Sequence, residues 1–90
     1  MLERELENKL KRAVLARGGL ALKFVSPGLA GVPDRLILLP GARIAFAELK
    51  APGQKLRPKK KKRKRQLEQL GFAVYTVDSV AEMEKLLQEV

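Results

Sequence analysis

Ninety residues with 19 Lys and Arg against 10 Asp and Glu carry a net charge of +9 and read as one small domain, residues 1–90, with a thin core. The lack of Cys and His excludes disulfides, Cys/His zinc sites, a His general base and a Cys nucleophile. Any metal must therefore sit on carboxylates and carbonyls, which suit Mg²⁺, Mn²⁺ or Ca²⁺, and the charge calls for a polyanionic partner.

In chain order, Leu2, Leu6, Leu10, Ala13 and Val14 recur at helical spacing and Gly18-Gly19 is a stop signal, which predicts a helix over 2–17. LALKFV (20–25) alternates like a strand, and the turn-rich SPGLAGVP follows it. In that loop Ser26, Gly28, Gly31 and Pro33 serve backbone geometry, with Gly28 or Gly31 free to take a positive φ. DRLILL (34–39) and ARIAFAEL (42–49) are apolar strands around Pro40-Gly41, a hairpin signal. After the loop APGQKLRP, Pro58 suits the first turn of a helix running to Leu70, and Gly71 ends it. FAVYTV (72–77) is too continuously apolar for a half-exposed strand and reads as a buried one. SVAE (79–82) is a capping box opening a last helix with Val80, Met83, Leu86, Leu87 and Val90 inward. The order α-β-β-β-α-β-α predicts an α/β fold, a sheet flanked by helices. No apolar run approaches the roughly 18 residues of a membrane span and the first residues do not form a signal peptide, so a soluble intracellular protein is expected.

The chemistry concentrates at the end of the hairpin. Side chains alternate along a strand, so Ile44, Phe46, Glu48 and Lys50 share one face. A three-residue loop (Pro40, Gly41, Ala42) pairs Leu39 with Arg43 and hence Asp34 with Glu48, with Cβ atoms about 5 Å apart. A two-residue loop would put the acids on opposite faces. Under the first register Asp34, Glu48 and Lys50 converge as a hard-cation site with an ammonium beside it. An isolated Glu-x-Lys more often just marks the end of burial. Here the Gly-x-Pro turn aims Asp34 back at the sheet, the spacing lets the acids meet, and the charge favours a phosphodiester. Arg35 and Arg43 face away from this site and are expected in solvent.

GVPD, then thirteen residues, then ELK resembles the PD-(D/E)XK nuclease signature. The longer string from Gly18 to Pro58, and the chain through LGFAVYTVDS, are similar to the VRR-Nuc (virus-type replication-repair nuclease) family. The resemblance implies a restriction-endonuclease-like fold with a central mixed sheet, Mg²⁺ or Mn²⁺ as cofactor, and phosphodiester hydrolysis leaving a 5′-phosphate. It further implies a stand-alone phage or bacterial domain, cytoplasmic in its host, acting as a homodimer on branched DNA such as four-way junctions, with no membrane partner. Carried onto this chain, Asp34 and Glu48 would be metal ligands, the Leu49 carbonyl would add to the shell, and Lys50 would position the attacking water or steady the phosphate. The family also uses a first-helix glutamate. Glu3 and Glu7 both lie on the stripe 3, 7, 10, 14; Glu7 has the better spacing and Glu3 remains the alternative. Acids at a helix start are also favoured by its dipole alone. Lys23 matches a basic position of the family and could reach a phosphate, or could keep its head in water.

KKKKRKR (59–65) holds seven of the positive charges, leaving +2 for the rest of the chain. The family usually carries L-x-P-x-Q here; this chain has LRPKK, so Lys60 stands at the glutamine position. Positions 56, 60, 63, 67 and 70 form one stripe, which turns Lys60 and Arg63 inward with Leu56, Leu67 and Leu70. Lys59, Lys61, Lys62, Lys64 and Arg65 spread over the other faces as a DNA-backbone surface. No aromatic interleaves the run, so base stacking is not its method. Three readings follow: a metal-dependent structure-specific DNA endonuclease, a non-catalytic nucleic-acid-binding module that keeps the fold, or a basic accessory protein. The thin core and two amphipathic helices also predict apolar edges that a homodimer would cover, expected on the last helix and around residues 74–77.

Overall fold

The computed structural model describes residues 1–90. The chain forms α1 (Glu3–Ala16), β1 (Leu20–Lys23), β2 (Arg35–Leu39), β3 (Arg43–Leu49), α2 (Pro58–Gln69), β4 (Ala73–Val77) and α3 (Val80–Glu89). The strands lie side by side in the order β1-β2-β3-β4, antiparallel for the first two pairings and parallel for the last. This is the mixed sheet and element order expected from the sequence. The parallel pairing follows from α2, which crosses between β3 and β4.

The glycines and caps act where anticipated. Gly18 and Gly71, at φ 80° and 97°, end α1 and α2 in paired return bonds: Gly19 N to Val14 O and Gly18 N to Leu15 O, then Phe72 N to Leu67 O and Gly71 N to Glu68 O. Ser79 Oγ accepts from the Glu82 N–H at 3.2 Å and starts α3. β1 is shorter than the alternating pattern suggests. It ends at Lys23, though Phe24 N still donates to Asp34 O at 2.9 Å before the loop departs.

The pleat divides the molecule. Ile37 and Leu39 of β2, Ala45, Ala47 and Leu49 of β3 and Val77 of β4 meet Leu6, Leu10 and Val14 of α1 and Met83, Leu86 and Leu87 of α3 in one core. Leu10 and Leu86 are fully buried, and cutting either to Ala would cost about 2–5 kcal/mol. The small Ala45 and Ala47 side chains let the two helices sit close to the sheet. On the opposite face lie Phe46 and Glu48, with all three phenylalanines in one row: Phe24 to Phe46 at 5.5 Å and Phe46 to Phe72 at 5.8 Å between ring centres. This face receives only α2, which buries no residue.

Three expectations are corrected. The apolar surface is not on α3 or at 74–77, where Val74, Val77, Met83, Leu86 and Leu87 are buried. It lies on the α2 side of the sheet, at Leu20, Leu22, Ile44 and Phe72, because α2 is too short and too charged to cover that face. Leu70 is 67% exposed rather than inward, since it is the C-cap of α2 and lies past the last regular turn. Arg35 is not solvated. Its side chain is 12% exposed and bonded beneath α1.

Candidate active site

The register that sets the site is the three-residue loop. Leu39 pairs with Arg43 and Arg35 with Ala47, so Asp34 falls opposite Glu48 on the α2 face. Gly41 (φ 85°) and Ala42 (φ 60°) make the loop, the latter an uncommon conformation for a residue with a Cβ. The two acids are cross-linked through the backbone. Asp34 N donates to Glu48 Oε1 at 3.2 Å, and Leu49 N donates to Asp34 Oδ2 at 3.0 Å. Each carboxylate thus has one oxygen engaged by the other's strand, which orients both toward α2. Glu48 is only 4% exposed, the sole buried charged residue of the chain.

Lys60 completes the cluster. Its Nζ lies 3.0 Å from Glu48 Oε1, 3.4 Å from Asp34 Oδ1 and 2.6 Å from the Val32 carbonyl. Burial raises the Glu48 pKa, opposed by the Lys60 hydrogen bond and reinforced by the Asp34 charge. For Lys60, burial acts downward, but the hydrogen bond and charge of Glu48, with Asp34, outweigh it and hold the ammonium above its ordinary pKa. No buried side-chain polar atom is left without a partner.

The other candidates distribute as follows. Lys50 is half-buried two residues beyond Glu48 and takes no part in the three ion pairs; its N–H donates to Val77 O. Glu7 is half-buried and accepts from Arg35 Nε at 3.2 Å through Oε2, on the α1 side of the sheet. Glu3 is exposed in the first turn of α1. No third acidic side chain joins Asp34 and Glu48 in a cluster. Lys23 is exposed at the end of β1, an edge strand. Along α2, Lys59, Lys61, Lys62 and Arg65 are exposed, whereas Arg63 turns inward to donate to the Ala30 carbonyl at 3.0 Å. Lys64 departs from the outward placement expected of it. It is half-buried and reaches Thr76 Oγ1 at 3.5 Å, because α2 lies across β4.

Two backbone acceptors, the Val32 and Ala30 carbonyls, complete the seat of α2 and escaped the sequence reading. A carbonyl carries no residue signature; only the Gly31 between them hinted at close approach. The donor set is all oxygen and hard, the chemistry that Mg²⁺ or Mn²⁺ favours. Two carboxylates are also what Mg²⁺ commonly takes from a protein when substrate phosphates and waters supply the rest. Leu49 turns its N–H to Asp34, and in an extended strand the carbonyl of that residue opens to the same side. The residues therefore fit a divalent ion whose shell is completed from outside the chain.

No family model matches the chain. It is 47% identical over 77 residues to "Putative nuclease p44" of Acyrthosiphon pisum secondary endosymbiont phage 1, covering 86% of this chain and 83% of that protein. It is also similar to a solved structure described as a VRR_NUC domain, with a TM-score of 0.88, 30% identity, and coverage of 97% of this chain and 95% of the other.

Proposed function

This chain belongs to the VRR-Nuc family of nucleases, and from that premise we propose that it is a metal-dependent DNA endonuclease using the Asp34–Glu48 end of the hairpin. The observation that carries this reading is the cross-bonded acid pair facing a helix whose outer side is a row of cations. Asp34, Glu48 and the Leu49 carbonyl would hold Mg²⁺ or Mn²⁺, with Glu7 the helix-1 acid assigned by family likeness. The ion supplies, when bound, neutralisation of phosphate charge and a more acidic bound water. Lys50, free of any ion pair, is available to orient the attacking water or to steady the phosphate. The exposed Lys59, Lys61, Lys62 and Arg65, with Lys23 at the sheet edge, would contact backbone phosphates, and such contacts position without reading sequence.

We further infer that the substrate is branched DNA such as a four-way junction, cut by a homodimer to leave 5′-phosphates. A two-fold junction matches a pair of sites related by a two-fold axis. Leu20, Leu22 and Ile44 are the apolar surface a second copy would cover. The test is nicking of branched against linear DNA with Mg²⁺ or Mn²⁺, using wild type, Asp34→Asn and Glu48→Gln, alongside light scattering. The expected results are cleavage lost by orders of magnitude in both variants and a mass about twice the 10.0 kDa chain. Wild-type rates in both variants would remove the site assignment; a strict monomer that resolves junctions would remove only the dimer.

One observation favours a second reading. Lys60 sits among the acids where a cation would bind, as in a DNA-binding module that has left catalysis. DNA binding without cleavage under any divalent ion would select it.

A further inference from the structure

We propose that Lys60 is a resident cation of the acid pair, one that a divalent ion must displace, so that this lysine sets how tightly the protein takes up metal. The inference rests on the Asp34–Glu48 reading given above.

The seat is unusually complete for a side chain from a helix with no buried residue. A lysine ammonium has three N–H donors and no acceptor. Here three oxygens meet it: the Val32 carbonyl and one oxygen each of Glu48 and Asp34, from two different strand ends and a turn. Two of those acceptors, the Asp34 and Glu48 carboxylates, are also the groups a divalent ion would take, so lysine and metal compete for them. Space points the same way. The recess beside the ammonium, lined by Gly31, Pro33, Leu56, Lys64 and Val74, has about 10 Å³ free, room for about one water. The Lys60 ammonium already occupies the space between the two carboxylates, so an ion bridging them would have to move it. Charge adds to the exclusion, since an ammonium and a divalent cation sharing two carboxylates repel each other at close range.

Displacement is feasible because the lysine has somewhere to go. Its side chain is 27% exposed and its flexible stem springs from a helix that also presents Lys59 and Lys61 to solvent. A DNA phosphate lying along that row offers the freed N–H groups new acceptors. Phosphate and metal would thus favour each other's binding, each reducing the hold of Lys60 on its other partner. A glutamine at this position would be neutral and would impose no such exchange.

The experiment measures metal binding to the DNA-free protein, with Mn²⁺ alone as the probe and its paramagnetic resonance as the signal. Wild type, Lys60→Gln, Asp34→Asn and the exposed-charge control Lys9→Gln are compared, each checked for folding by circular dichroism. Lys60→Gln is expected to bind Mn²⁺ at least tenfold tighter than wild type, with Lys9→Gln within about twofold of it. A second readout needs no variant. In the wild type one lysine ammonium should exchange slowly enough to appear in nitrogen-resolved NMR, and Mg²⁺ should abolish its signal. Equal or weaker Mn²⁺ binding by Lys60→Gln, or an ammonium signal that survives saturating Mg²⁺, overturns the proposal. If binding is lost in Asp34→Asn but unchanged in Lys60→Gln, only the lysine proposal falls. If Asp34→Asn binds Mn²⁺ like wild type, the metal-site reading falls with it.

Discussion

Arg35 donates through Nε to Glu7 Oε2 at 3.2 Å and through Nη1 to the Ala21 carbonyl at 3.3 Å. One side chain thereby ties α1 and β1 to the strand that begins beside Asp34. With side chains 12% and 31% exposed, the ion pair is sheltered enough to exceed a surface bridge. A double-mutant cycle with Glu7→Gln and Arg35→Met should give a coupling of about 1 kcal/mol. Glu7→Gln alone should lower the melting temperature by about 4–8 °C. Cleavage assays on the same variant separate its two roles: a fall in rate as deep as that of Asp34→Asn, at unchanged stability, would place Glu7 with the metal rather than with Arg35.

Tyr75 is the only tyrosine and reports pH directly. Its hydroxyl donates to Glu89 Oε1 at 2.9 Å. Burial, then that hydrogen bond and the Glu89 charge, push its pKa up from 10.0 to about 12. The folded state then holds the proton more tightly than the unfolded chain. Stability from this contact is complete below pH 10 and declines as pH rises from 10 toward about 12. Absorbance near the phenolate band should titrate with a midpoint close to the upper value while the protein stays folded. Glu89→Gln should bring the midpoint down, and an unshifted midpoint would show that the contact is not maintained.

The exposed cations of α2 make a separate claim. Changing Lys59, Lys61, Lys62 and Arg65 to Gln should weaken binding to branched and linear DNA alike. The salt dependence should flatten by about one log–log unit for each lost phosphate contact. Fluorescence anisotropy over a salt series reads both quantities. Lys64 is left out because its bond to Thr76 makes it part of the α2 seat. An unchanged slope would reduce the row to a solvated helix face.

The legible and the hidden parts of this molecule differ in kind. The pairing of Asp34 with Glu48 could be read because side-chain alternation and a three-residue loop leave only one register with both acids on one face. The inward turn of Lys60 followed from helical spacing with Leu56 and Leu67. The uncovered sheet face could not be read, because alternation shows that two faces exist but not which one a short charged helix will fail to cover. The Arg35–Glu7 bond depends on how α1 lies across the sheet, which no local pattern encodes. The carbonyls of Ala30 and Val32 have no side-chain signature.

Gly31 links those two carbonyls to the candidate site. It holds φ at 85°, and a Cβ placed on it would lie 2.5 Å from the Lys59 carbonyl oxygen and 2.9 Å from the carbon. Its neighbours on either side both accept from α2, Ala30 from Arg63 and Val32 from Lys60. The loop and the start of α2 therefore touch at three consecutive residues, and only a glycine in the middle permits it. Gly31→Ala would face both the left-handed backbone penalty, about 1–2 kcal/mol, and a clash with main-chain atoms that cannot rotate away. The start of α2 should be driven outward, taking Lys60 from the acids, so the melting temperature should fall while Mn²⁺ binding should tighten as in Lys60→Gln. Gly28→Ala is the matched control. Nothing lies within 4 Å of its added Cβ, and its stability should stay within about 0.5 kcal/mol of wild type. Thermal unfolding of the two variants side by side decides the matter. Equal melting temperatures would mean that the loop does not rest against α2 in solution, and the seat of Lys60 would lose its support.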